Sequence, residues 1–149
     1  MESVDPSAKR VIETRQRVRY AETDQMGVVY YANYFVWMEI GRVEFCRSSG
    51  VRYRDLEQDG YLLAVAEANC RYLAPARYDD EVVITTTLAD PSPRMPRFDY
   101  EIRDAVSGRK LATGYTKHIW CGPDLRPRKL PEKYWGAFAA GSTAANGSS

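Results

Sequence analysis

Tyr31-Ala-Asn-Tyr-Phe-Val-Trp-Met-Glu-Ile-Gly-Arg-Val-Glu-Phe-Cys-Arg47 is the longest periodic segment of the chain, and its reading decides the fold. At about 100° per residue, Tyr31, Tyr34, Met38, Gly41 and Phe45 gather on one side, which predicts a helix with a core-facing stripe. Val36, Ile40 and Val43 occupy the other side among Glu39 and Glu44, so this second side is also expected to meet something. Gly41 costs the helix roughly 1 kcal/mol against alanine. That cost makes sense where the helix must lie very close to a sheet. Gly50 is expected to cap the C-terminal end.

The segments around this helix read mainly as strands. Glu13 to Ala21 alternates Val18 and Tyr20 with charged residues and predicts a short strand. After a short helix at Tyr53–Gln58 come strands at Tyr61–Leu73, Glu81–Leu88, Arg97–Arg103 and Lys110–Cys121. The third of these alternates most cleanly, with Phe98, Tyr100 and Ile102 directed inward. Ser107-Gly108 supplies a hairpin turn, and Leu130–Ala140 a short closing helix. Strand, long apolar helix, then four strands joined mostly by hairpins describes an α+β domain whose antiparallel sheet wraps one helix. One domain is expected over residues 10–140, with flexible termini at 1–9 and 141–149. A five-stranded sheet around one helix leaves an open edge, and pairing with a second copy is the simplest remedy.

Composition removes whole classes of function. The 149 residues hold 21 Lys+Arg against 20 Asp+Glu, a net charge of +1, which gives no bulk reason to expect nucleic acid or an anionic membrane. Mean hydropathy is −0.50. No run of apolar residues is long enough to span a membrane and no signal peptide is visible, so the cytoplasm is expected. The single histidine, His118, excludes any site needing two imidazoles. Cys46, Cys70 and Cys121 lack ligand spacing, so neither a metal nor another cofactor is implied. Cys121 lies three residues from His118, an odd separation that on a strand turns the two side chains to opposite faces and disfavours a Cys–His pair. His118 itself reads as a hydrogen-bonded strand residue. Acid–base work therefore falls on a carboxylate.

The chemistry concentrates in Tyr20-Ala-Glu-Thr-Asp-Gln-Met-Gly-Val-Val-Tyr-Tyr-Ala-Asn-Tyr34. Asp24 sits on a tight turn shortly before the start of the helix, where unpaired backbone N–H groups favour an oxyanion. A carboxylate beside an oxyanion donor suits hydrolysis of an activated acyl group. The plainer reading makes Asp24 a turn or cap residue worth about 1 kcal/mol, and spacing alone favours it.

The run RVRYAETDQMGVVYYANYFVWMEIGRVEF, Arg17 to Phe45, resembles the signature of hotdog-fold acyl-CoA thioesterases of the 4-hydroxybenzoyl-CoA thioesterase family. The similarity continues in Tyr72–Glu81, Leu111–Gly114 and Arg126–Pro131, most of the chain. The resemblance implies that Asp24, second acid of the E-T-D run, is catalytic as nucleophile or general base. It implies that the Tyr31 backbone N–H polarises the thioester carbonyl and that Gly27 lets the chain turn so that the two converge. Many relatives carry histidine where Tyr31 stands, which a backbone role tolerates. Met26 replaces a second glycine and is expected to narrow the acyl pocket. The substrate implied is an acyl-CoA, with Arg77, Arg126, Arg128 and Lys129 as candidates for its phosphates, and the assembly a homodimer or homotetramer. Glu39 is the rival carboxylate; an i,i+3 pairing with Arg42 is its plainer role. Acyl-carrier-protein thioesters, a non-catalytic acyl-binding role and, more weakly, a dehydratase are the alternative readings.

Overall fold

The computed structural model describes residues 10–139, so the two expected flexible termini and Ala140 lie outside the described residues. Five strands, β1 (Val11–Arg17), β2 (Leu62–Tyr72), β3 (Glu81–Asp90), β4 (Arg97–Asp104) and β5 (Lys110–Cys121), form one antiparallel sheet in the order β1-β3-β4-β5-β2. Helix α1 (Asn33–Ser48) lies across its concave face, with α2 (Tyr53–Gln58) and α3 (Glu132–Ala139) shorter. This is the hotdog arrangement. The β3–β4 and β4–β5 connections are hairpins, whereas Leu73–Asp80 carries the chain from β2, beside β5, across to β3, beside β1.

Alternation fixes which face of the sheet meets the helix. Val82, Ile84, Thr86 and Leu88 on β3 and Phe98, Tyr100 and Ile102 on β4 are all buried, while the intervening residues are half-exposed. From α1 they receive Tyr34, Trp37, Met38, Gly41, Phe45 and Cys46. The predicted stripe is present except at its first position. Tyr31 precedes the helix and is 59% exposed, because residues 31–32 form a turn rather than a helical start. The first strand likewise stops at Arg17, and Tyr20–Glu22 winds into a 3-10 turn.

Gly41 is where helix and sheet touch most closely. A Cβ built there would lie 2.3 Å from Thr86 Oγ1 and 3.0 Å from Ile84 Cγ2. The helix ends as Gly50 predicts: at φ +81° it donates its N–H to Arg47 O (3.0 Å), and Val51 N–H reaches Cys46 O (3.2 Å), a Schellman closure. Arg10 covers the same end, donating to Phe45 O (2.8 Å) and Ser49 Oγ (2.7 Å) with its guanidinium over the Phe45 ring.

One edge of the sheet is bare. β2 hydrogen-bonds to β5 alone, and residues 64–69 are exposed on both faces. No helix of the described residues is long and apolar enough to cross a membrane.

Gly41→Ala tests the close approach. Alanine gains roughly 1 kcal/mol of helix propensity, but overpacking costs about 1–3 kcal/mol. We expect net destabilisation in denaturant titration, relieved when Thr86→Ala is added, since the two sites share one contact.

Candidate active site

The stretch from Glu22 to Asn33 is a hairpin loop held shut at its base. Thr23 bridges Val29, and Asp24 N–H donates to Val28 O at 2.9 Å. Gly27 N–H returns to Asp24 O at 3.0 Å, closing the turn. Gly27 takes φ +77° with nothing within 4 Å of a built Cβ, so backbone conformation and not space demands glycine. The Asp24 side chain takes part: Oδ1 accepts Met26 N–H at 2.8 Å, an Asx turn. Asp24 also lines a cleft of about 390 Å³ with Val28, Tyr31, Tyr34, Tyr72 and Leu73. Turn residue and cleft carboxylate are thus the same residue, one oxygen engaged in the Asx turn.

Across the cleft the chain enters α1. Asn33, Tyr34 and Phe35 N–H groups turn back to Tyr30 O (3.0 Å), Tyr31 O (3.3 Å) and Ala32 O (3.2 Å). No acceptor meets the Tyr31 N–H among the described residues, and Ala32 provides no side-chain cap. Tyr72 OH donates to Tyr31 O at 2.9 Å, which steadies this peptide. Desolvation, reinforced by Cys70, raises the Tyr72 pKa above its ordinary value. Tyr34 and Tyr72 meet edge-to-face at 5.0 Å, and Tyr31 and Tyr72 at 6.3 Å, so the cleft is walled with aromatic rings.

The group that holds both halves together is Glu22, which the sequence does not single out. Its carboxylate is only 3% exposed. Oε2 accepts the Trp37 indole N–H (3.0 Å) and Oε1 the Arg19 backbone N–H (2.8 Å), with the Arg19 guanidinium at 3.4 Å. Its carbonyl accepts Tyr30 N–H (2.8 Å) and Asn33 Nδ2–H (2.9 Å). A buried carboxylate is tolerated only with such a set of donors. One sequence signal points to it: Trp37, buried on the helix, needs an acceptor for its N–H.

The remaining candidates separate. Arg77 is exposed, its backbone bridged to Val28 beside the cleft and its N–H bonded to Asp80 Oδ2. Arg126, Arg128 and Lys129 lie at the other end of the sheet. Arg128 N–H bonds Trp120 O, opposite Leu63 near the start of β2, whereas the cleft adjoins Tyr72 at its end, nine residues or roughly 30 Å along the strand. Arg128 is further occupied by Gly60 O (2.9 Å) and the Tyr61 ring, and Arg126 by Asp124 (3.9 Å). Within one chain these three therefore do not reach the cleft. Met26, expected to narrow it, is 80% exposed at the loop tip and is not among the residues that line the cleft within one chain. Glu39 and Arg42 form no ion pair, because Arg42 turns into the core to Tyr100. Both line a different cavity. His118 is a hydrogen-bonded core residue, 2.7 Å from Thr116 Oγ1 with its pKa pushed down to about 3 by burial, while Cys121 Sγ faces Ile119 O.

Replacing Glu22 tests its anchoring role. Glu22→Ala leaves the Trp37 N–H buried without an acceptor and should cost about 2–4 kcal/mol in urea unfolding. Glu22→Gln, which keeps an oxygen for the indole, should cost visibly less.

Comparison with known proteins agrees with this fold. The thioesterase-like superfamily description matches residues 18–136. Bacillus subtilis YneP is 48% identical over 73 residues, 49% of this chain and 53% of that protein, so the match spans about half of that relative. A Thermus thermophilus protein, TT1821, superposes with a TM-score of 0.81 at 38% identity, covering 86% of this chain and 97% of that one. The DHNA-CoA thioesterase of Staphylococcus aureus superposes with a TM-score of 0.82 at 30% identity, covering 93% and 94%. With that description matched over most of its length and the fold in common, the chain belongs to the thioesterase-like superfamily.

Proposed function

We propose that this protein hydrolyses an acyl-CoA thioester to the free acid and CoA, with Asp24 acting at the carbonyl carbon and the Tyr31 N–H receiving the developing oxyanion. The observation that carries the reading is that the Asp24 carboxylate and the unpaired N–H at the start of α1 border one cleft. Family membership and the 30% identity to a protein named DHNA-CoA thioesterase support the substrate class.

Two routes use the same atoms. In the first, a carboxylate oxygen of Asp24 attacks the thioester carbon, CoA leaves as the thiolate, and water cleaves the mixed anhydride to regenerate the carboxylate. In the second, Asp24 takes a proton from a water that attacks directly. Either way the thioester oxygen gains negative charge beside Tyr31, where an unpaired N–H and the positive end of α1 favour it. The held Tyr31 peptide needs no reorganisation as that charge grows. The Tyr34 and Tyr72 rings and Val28 offer an apolar wall for the acyl group, and Arg77 at the rim offers a charge to a CoA phosphate.

The second copy belongs to the same reading. Antiparallel pairing of two bare β2 edges about a two-fold axis sets the start of one strand beside the end of the other. In such a pair Arg126, Arg128 and Lys129 of one protomer would serve the Asp24 cleft of its partner, a reading supported by their distance from the cleft of their own chain.

Asp24→Asn should retain the fold by circular dichroism and lose at least about 10²-fold in kcat/KM on a panel of benzoyl-, phenylacetyl-, short- and long-chain acyl-CoA thioesters. Near-normal turnover would return Asp24 to the role of a turn residue. Single turnover in oxygen-18 water separates the routes, since only the nucleophilic one labels the Asp24 carboxylate. Sedimentation equilibrium should give at least twice the 17.0 kDa chain mass, and a charge on the bare edge, Val65→Lys, should lower it.

A further inference from the structure

Tyr72, the last residue of β2, donates its hydroxyl to Tyr31 O at 2.9 Å, across 41 positions of the chain. The fold has no need of this bond. The end of β2 is already held to β5, with Tyr72 opposite Ala112 and Leu73 N–H on Leu111 O at 2.8 Å. The loop that bears Asp24 has its own ties, through Glu22 at its base and through Val29 N–H to Ala76 O at 2.8 Å. What the bond adds is felt at Tyr31.

Tyr31 stands between two peptide planes, each of which moves as one body. The plane before it carries the Tyr31 N–H, and its oxygen, Tyr30 O, accepts Asn33 N–H at 3.0 Å. The plane after it carries Tyr31 O, which accepts Tyr34 N–H at 3.3 Å and Tyr72 OH at 2.9 Å. With both planes tied, the two dihedral angles of Tyr31 are fixed, and so is the direction of its N–H. The Tyr34 bond is longer than the usual span of about 2.7–3.2 Å, which leaves Tyr72 as the firm tie on the second plane. Little else is available for the task. Residues 31 and 32 form an exposed turn, Ala32 cannot cap with its side chain, and among the described residues no other side chain bonds the backbone of either.

The Tyr72 ring is itself braced. It meets Tyr34, which is buried, edge-to-face at 5.0 Å and Tyr31 at 6.3 Å, while Cys70, two residues earlier on the same face of β2, stands beside its hydroxyl. We propose that Tyr72 is a positioning residue for thioester hydrolysis: by tying Tyr31 O it holds the Tyr31 N–H in one orientation for the oxyanion. This rests on the catalytic reading of Asp24 and Tyr31. A donor held in advance counts most where the thioester oxygen carries its greatest charge, in the transition state. Loosening it therefore lowers kcat and leaves KM nearly unchanged.

Tyr72→Phe keeps the ring and its edge contacts and removes only the donor, so the circular dichroism of wild type is expected. On the panel thioester that wild type turns over fastest, kcat should fall about tenfold, less than for complete loss of an oxyanion donor, with KM within about twofold. The pH–rate profile should keep its shape, because a tyrosine hydroxyl does not titrate near neutrality. A second readout is blind to any loss of active protein. The same thioester, carbon-13 labelled at its carbonyl, is bound to Asp24→Asn, which holds it without turnover, and its stretch is followed by isotope-edited infrared spectroscopy. The bound carbonyl should absorb at lower frequency than the free one, and adding Tyr72→Phe should move it back towards the free value. Wild-type kcat in Tyr72→Phe, or an unmoved carbonyl frequency in the double variant, overturns the positioning role while the Asp24 reading stands. Near-normal turnover in Asp24→Asn overturns that reading, and the role of Tyr72 falls with it.

Discussion

The approach of α1 to the sheet at Gly41 is the constraint on which the rest depends. With hydrogen in place of a side chain, the helix backbone settles against Thr86 and Ile84, and that depth fixes the level of every other helical side chain. Trp37 and Met38, one turn earlier, become fully buried, as does Phe45 one turn later. Trp37 in turn reaches Glu22, and Glu22 holds the loop that bears Asp24. The chain of contact from the sheet to the candidate catalytic carboxylate therefore runs through one glycine, one indole and one buried acid.

Much of this was legible from residue order. The core-facing stripe, the need for a close approach at Gly41, the Gly50 stop and the inward Phe98, Tyr100 and Ile102 all follow from periodicity and backbone freedom, which are local properties. Helix α2 and strand β5 carry the predicted bounds. The departures occur where local preference met a tertiary demand. Tyr31 suits the stripe by spacing, yet the chain leaving the Asp24 loop turns at residues 31–32, so the helix begins two residues later. Glu39 and Arg42 have the spacing of a surface ion pair, but Arg42 finds a phenol in the core instead.

Of the candidate site, the sequence yielded Asp24 and Gly27, which act through their own turn, and the backbone at Tyr31. It did not yield Glu22, Tyr72 or Tyr34. Their roles rest on contacts across 41 residues for Tyr72 with Tyr31 and 15 for Trp37 with Glu22, which no local pattern encodes. The basic cluster Arg126–Lys129 illustrates the same point from the other side. Residues that look like a phosphate site in the chain lie, within one chain, at the other end of the sheet from the Asp24 cleft.

The way Glu22 closes the loop has a consequence for how the protein can vary. Its side chain and carbonyl together fix both ends of the stretch that presents Asp24, while the Gln25 and Met26 side chains at the tip are exposed and the tip holds the carboxylate only through the Met26 backbone N–H. The side chains of the tip are thus free to change while its backbone keeps hold of the carboxylate. A reporter group attached at Met26 could sense what enters the cleft without disturbing the residues that line it, and drift at these two positions between relatives could retune the approach of substrates while the reacting geometry stayed the same.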